Sequence, residues 1–301
     1  MPESKSRDLL QQLPAELEKL VLDSRAIATN ALTGLHRSPY RGSSIEFREH
    51  REYQHGDDLR RLDWRVYAKS DRLYVKQFED ETTLSVEIVI DNSASMNYRS
   101  SKSGVSKFER AQLLAAAIGD LAIRQGDAAR LWCFSERLDV LTELRRQESH
   151  LLEIATTLLK TAPTGVDAPQ VSFELLASEL HKRSVVVILS DVLFEPDSFL
   201  LPLRSLHAKQ FDLNILRIND PQEIEFDFTQ PSYFECLETS EQTFVHPNLF
   251  KKAYQAEWKR RETMLIEECR QAHITLRLHQ TGQEPAGVLQ DWVEYRQRAL
   301  R

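Results

Sequence analysis

After Glu81 the chain alternates short apolar runs with stretches of helical periodicity, and this rhythm restricts its fold more than any other feature. LSVEIVID, ARLWCFS, SVVVILSD, FDLNILRI and ITLRLHQ are rich in branched apolar residues and too short to be buried helices, so they read as strands. Their nearly continuous apolar character belongs to strands covered on both faces, as in a mostly parallel sheet. RLDVLTEL is expected to add another strand, with helices near 107–124, 147–160, 172–182, 198–209 and 247–272. In the first of these helices Phe108, Ala111, Leu114, Ala115, Ile118 and Leu121 share a face, and Gly126-Asp127 follows its end. Right-handed crossovers between such units give an α/β, doubly wound sheet.

The flanks break the rhythm. In residues 1–35, Leu9, Leu10, Leu13, Leu17, Leu20, Val21 and Ile27 fall at helical spacings, so one or two amphipathic helices are expected, with Pro14 marking a helix start. Residues 36–81 are rich in arginine, aromatic and acidic side chains. There IEFREHREY and RLYVKQF flank the turn signal His55-Gly56-Asp57-Asp58, which indicates a small β-rich N-terminal module. The main domain then runs over 82–283, and within it IEFDF, YFECLE and QTFVHP of 220–246 read as short strands of a hairpin insertion. A tail over 284–301 carries a short helix around Trp292.

A chain of 301 residues with 41% hydrophobic content buries a substantial core. Its net charge of −7 leaves no general electrostatic footprint for nucleic acid. Cys133, Cys236 and Cys269 are isolated, so neither a thiolate zinc site nor a disulfide framework is indicated, and a reducing cytoplasm fits best. The first twenty residues mix acids among leucines, unlike a signal peptide. The longest apolar run, Val185–Leu189, is far short of the ~20 residues that span a bilayer.

The chemistry concentrates where the first strand of the main domain ends, at Asp91-Asn92-Ser93-Ala94-Ser95-Met96. Ligand sites of open α/β sheets lie at the carboxyl ends of strands. One carboxylate and two hydroxyls spaced by two residues offer hard oxygens of the kind that Mg2+ or Mn2+ prefers. Leu189-Ser190-Asp191 ends a second apolar strand in the same way. An ion held by so few protein charges keeps an open position for a carboxylate from outside.

This Asp-x-Ser-x-Ser-Met string, with a later strand ending in Asp191, resembles the metal-ion-dependent adhesion site of von Willebrand A domains. HRSPYRGSSIEFREHREYQHGDDLRRLDWRVYAKSDRLYVKQFEDET resembles the signature of the bacterial domain of unknown function 58, and the likeness extends over roughly residues 30–283. The resemblance implies a sheet of von Willebrand A type, metal ligation by Asp91, Ser93, Ser95 and Asp191, and partnership with a MoxR-type AAA ATPase. The family includes soluble and membrane-tethered members, and this chain reads as an untethered one. One stretch departs from the pattern: where the family usually has Gly-Gly-Thr-Asp, this chain has Pro163-Thr164-Gly165-Val166-Asp167. Val166 offers no oxygen, and Thr164, two residues earlier, is the substitute ligand at hand.

The function expected is therefore metal-assisted protein binding, by an adaptor or co-chaperone that engages the ATPase or its client, and not catalysis. A phosphatase-like hydrolase is the first alternative, because an aspartate after a first α/β strand can attack phosphate. The second acid such enzymes use is replaced by Ser93. A nucleic-acid binder is the other alternative, using Arg60, Arg61, Arg65, Trp64 and Tyr67, but Asp57, Asp58, Asp63 and Asp71 are interleaved with them. The same five residues are the candidate protein-binding face, because exposed ion pairs stabilise by only ~0–1 kcal/mol each and do not account for so many charges.

Overall fold

The structure is a computed structural model and describes residues 14–33, 47–52, 74–78, 84–165, 169–180, 184–193, 202–204 and 211–299. The chain divides into two compact units, residues 36–83 and the rest. In the smaller unit, β1 (Phe47–Glu52) and β2 (Tyr74–Phe78) pair antiparallel, with an irregularity between Phe47 and Glu49. Arg60, Arg61, Arg65, Trp64 and Tyr67 lie outside the described residues.

The larger unit is built on a six-stranded sheet. Its strands are β3 (Ser85–Asp91), β4 (Ala128–Phe134), β5 (Leu138–Val140), β6 (Ser184–Ser190), β7 (Asp212–Asn219) and, near the end of the chain, β10 (Thr275–Gln280), in the spatial order β10-β7-β6-β3-β4-β5. All neighbours are parallel except the edge strand β5, which turns back on β4. After β3 the chain winds to one side through β4 and β5, then returns past β3 to lay down β6, β7 and β10 on the other. The winding reverses between β3 and β6, and that reversal opens a crevice at their carboxyl ends.

Alternation along the strands sends side chains to two cores. On one face Val86, Ile88 and Ile90 of β3 and Val185, Val187 and Leu189 of β6 meet α2 (Lys107–Arg124) and α3 (His150–Lys160). On the other, Val89 of β3 and Val186 and Ile188 of β6 meet Phe173 and Leu176 of α4 (Pro169–Glu179) and Leu265 and Cys269 of the long helix α6 (Pro247–Gln271). Each fully buried Leu, Ile or Phe stabilises by about 1.5–3 kcal/mol relative to exposure, so the doubly covered sheet dominates stability.

α2 begins where Ser106 and Glu109 close a capping box: the Glu109 amide donates to Ser106 Oγ at 3.1 Å, and the Ser106 amide to Glu109 Oε2 at 2.7 Å. The first helix, α1 (Ala15–Thr33), starts directly after Pro14 and buries Leu17, Val21, Ile27, Ala28 and Ala31 in the core of the main sheet. The sequence set this helix apart from the main domain; among the described residues its apolar stripe packs into that core. The C-terminal helix α7 (Pro285–Ala299) docks in the same place, where Trp292 is buried and its indole N–H donates to Asn214 Oδ1 at 3.0 Å. Of the helix expected over 198–209, only 202–204 are described, and they are helical.

The segment 220–246 differs from its sequence reading at its start. β8 (Ser232–Glu235) and β9 (Gln242–Val245) do form an antiparallel hairpin. IEFDF, expected as a strand, instead overlaps a one-turn helix, α5 (Pro221–Glu225), that ends at Phe226 in the left-handed region. Asp220 caps it, Pro221 fills its first position, and Glu223 reaches back to the Asp220 amide at 2.9 Å. Phe226 then gathers Phe228, Phe234 and Tyr254, fastening the hairpin to α6.

Candidate functional site

Asp91 is the last residue of β3 and is completely buried. Its Oδ1 accepts the Ser93 amide at 2.9 Å, and its Oδ2 accepts the Ser190 hydroxyl from the end of β6 at 2.6 Å. Burial, followed by the negative charge of Asp191, pushes its carboxyl up to about 7, against the opposing hydrogen bonds from Ser190 and Ser93. Asp91 thus ties the two strand ends together.

Beyond Asp91 a line of oxygens crosses the crevice. Ser93 Oγ lies 3.0 Å from Ser95 Oγ, and the Ser95 hydroxyl donates to Asp191 Oδ2 at 2.9 Å. Asp191 is fully buried, and its Oδ1 has no hydrogen-bond partner. Its carbonyl accepts from Arg217 Nε at 3.0 Å and Asn219 Nδ2 at 3.3 Å, so β7 holds the Asp191 backbone from behind. The next residue, Val192, has φ +50°, in the left-handed region that a β-branched side chain rarely enters, and its amide donates to Ser190 Oγ at 2.9 Å. Such strain costs about 1–3 kcal/mol and is found chiefly where a fold must aim a particular group.

Of the residues expected from sequence, the fold therefore assembles Asp91, Ser93, Ser95 and Asp191. Thr164 is placed differently. Its amide donates to the Asn92 carbonyl at 2.8 Å, and the Gly165 carbonyl accepts from Ala94 at 3.2 Å, so the backbone of this loop is clamped to the Asp91 loop. Gly165, with φ +91°, permits the turn, while the Thr164 side chain is exposed. Val166 lies outside the described residues.

Two further residues complete the site. Lys107, the first residue of α2, is fully buried, and its ammonium donates to Asp191 Oδ2 and to Glu223 Oε1, each at 2.6 Å. Burial alone would push this ammonium down, but Asp191 and Glu223 more than offset it and hold it above the usual lysine value. Glu223 is itself raised by burial, against the pull of Lys107. Lys107 shares a helical face with the buried Ala111, Leu114 and Ile118, and a lysine on an apolar stripe is the sequence signal that could have singled it out.

Among the described residues no group of three or more His, Cys, Asp or Glu side chains is disposed to hold a metal ion. An ion here would therefore depend on hydroxyls as well as carboxylates. The donor set fits that requirement: the Ser93 hydroxyl lies against the Ser95 hydroxyl, which in turn donates to a carboxylate whose other oxygen is buried and unpaired.

Known proteins are similar to this chain. A protein of Mycobacterium bovis, uncharacterized protein Mb1516, is 29% identical over 220 residues, covering 71% of this chain and 67% of that one. The crystal structure of the conserved hypothetical protein BatB from Bacteroides thetaiotaomicron superposes with a TM-score of 0.50 at 11% identity, over 71% of this chain and 99% of that chain. The SpRpn10 VWA domain is similar at a TM-score of 0.41 and 11% identity, over 71% of this chain and 95% of that chain. The strand order, the antiparallel edge strand and the site at the winding reversal make the sheet one of von Willebrand A type. A family model described as protein of unknown function DUF58 matches residues 49–264, and the chain belongs to that family.

Proposed function

We propose that this protein is a metal-ion-dependent protein-binding module, an adaptor or co-chaperone that works with a MoxR-type AAA ATPase or its client in the cytoplasm. The observation that carries the reading is the oxygen line Ser93–Ser95–Asp191, with its buried, unpaired Asp191 Oδ1, at the reversal between β3 and β6. Ser93, Ser95 and Asp191 would hold Mg2+ or Mn2+. Asp91 acts behind them, fixing the loop through the Ser93 amide and the Ser190 hydroxyl. When bound, the ion supplies an electrophilic point for an acidic side chain of a partner.

Binding is favoured over phosphoryl transfer because the position two residues after Asp91, where a general acid is needed, is Ser93, whose hydroxyl is engaged with Ser95. The choice of ATPase rests on the family resemblance. Among the described residues no helix is long and apolar enough to cross a membrane.

Calorimetric titration of metal-stripped protein with Mg2+ and Mn2+, alongside Ser95→Ala and Asp91→Asn variants checked for folding by circular dichroism, tests the site. Saturable binding in the wild type, weakened about ten-fold or more by Ser95→Ala through loss of an oxygen ligand, is expected. Wild-type protein that binds neither ion would remove the metal from the reading. Capture of the purified ATPase in Mn2+ but not in chelator then tests the partner.

A further inference from the structure

Lys107 places a positive charge inside the site that is read as taking a divalent cation. Its ammonium and the Ser95 hydroxyl converge on the same oxygen, Asp191 Oδ2, at 2.6 and 2.9 Å. A solitary buried ammonium is very costly, and here two carboxylates compensate it, Asp191 at the end of β6 and Glu223 in α5. Glu223 uses its other oxygen to hold the Asp220 amide. Asp220 in turn accepts the Ser100 amide, the Ser103 hydroxyl and the Thr281 hydroxyl. Tyr98, whose ring lies 5.8 Å from the Lys107 ammonium, donates to Gln222 Oε1 at 3.0 Å. An unbroken polar chain therefore runs from Ser95 through Asp191, Lys107 and Glu223 to the turn at the root of the hairpin insertion.

Two cations cannot share one carboxylate oxygen at contact distance without strong repulsion. A lysine ammonium is a compact charge on a flexible stem, so Lys107 is able to give up Asp191 while keeping Glu223. We propose that Lys107 is the built-in cation of this site: it neutralises Asp191 in the metal-free protein, competes with the divalent ion for Asp191 Oδ2, and through Glu223 couples the outcome to α5 and the hairpin insertion. The proposal rests on the metal-binding reading above and adds its regulation. It assigns the hairpin a state that differs with and without the ion, which gives a partner two distinguishable surfaces.

The test compares wild type with Lys107→Met and with the double variant Lys107→Met, Glu223→Gln, which removes the charge pair together and so strands no carboxylate at α5 should the single variant fold poorly. Mn2+ binding is measured by titration, and backbone hydrogen exchange of residues 221–245 is followed with and without Mn2+. Both variants are expected to bind Mn2+ about ten-fold or more tightly than wild type, the scale of a like charge at this range. In wild type, Mn2+ is expected to change exchange in 221–228, and in the double variant to leave it unchanged. Equal or weaker Mn2+ affinity in the variants would overturn the competition while leaving the metal-binding reading intact. Tighter binding without any exchange response in wild type would overturn the coupling to the hairpin. Failure of wild type to bind Mn2+ would overturn the metal-binding reading and the competition with it.

Discussion

Glu87 and Asp91 stand four residues apart on β3, both without solvent exposure, yet they are compensated in opposite ways. Glu87 receives a two-pronged grip from Arg130 at 2.8 and 3.0 Å and the Trp132 indole N–H at 2.7 Å, and Arg130 lies 4.3 Å from the Trp132 ring centroid. Replacing Glu87 by Ala would strand a guanidinium and an indole in the interior. The expected loss is about 3–5 kcal/mol by urea denaturation, and a loss below about 1 kcal/mol would show that this network is not a structural clamp. Among the described residues Asp91 is met by hydroxyl and amide donors and by no cation, and its charge stays costly. Asp91, Ser93, Ser95 and Asp191 were legible in the sequence because they cluster at or just beyond the ends of two apolar strands. Lys107 and Glu223 were not, since their bonds link positions 84 and 116 residues apart, a pairing that only the folded sheet creates.

At the level of elements, the strands and long helices declared themselves through periodicity, and the boundaries of α2 agree with the expected 107–124. α5 did not, because Ile224, Phe226 and Phe228 alternate like a strand. The competing signal was local: Asp220-Pro221 followed by Glu223 is a helix cap, and Asp220 is anchored by Ser100, Ser103 and Thr281 from elsewhere in the fold. Capping also positions the site, because Ser106 sets the first turn from which Lys107 reaches inward. Ser106→Ala is expected to cost about 1 kcal/mol in thermal or urea unfolding. It should also lower hydrogen-exchange protection in the first turn of α2 more than in the last, and equal effects along the helix would contradict a capping role.

For the molecule as a whole, pH acts through buried groups of opposite sign, His279 and Asp91 among them. His279 on β10 is held down to about 4 by burial and then by Arg110. Its folded value lies below the unfolded one near 6.5, so its contribution is complete above pH 6.5 and is lost as pH falls toward 4. The loss reaches about 2 kcal/mol at pH 5. Asp91, raised to about 7, works the other way, its contribution shrinking as pH rises from about 4 through 7. The difference in unfolding free energy between wild type and His279→Gln, measured at pH 7 and pH 5, isolates the histidine. Wild type should lose more than the variant on acidification, and parallel curves would mean that the imidazole is not kept neutral by the fold. The winding reversal has a consequence in time as well. The Ser95–Asp191 bond joins residues 96 apart, so at roughly 5–20 residues per second a growing chain presents the Asp91 loop some 5–20 seconds before its partner strand is made. Until then the hydroxyls of that loop lack the Asp191 carboxylate, and the line Ser93–Ser95–Asp191 is complete only once β6 has joined β3.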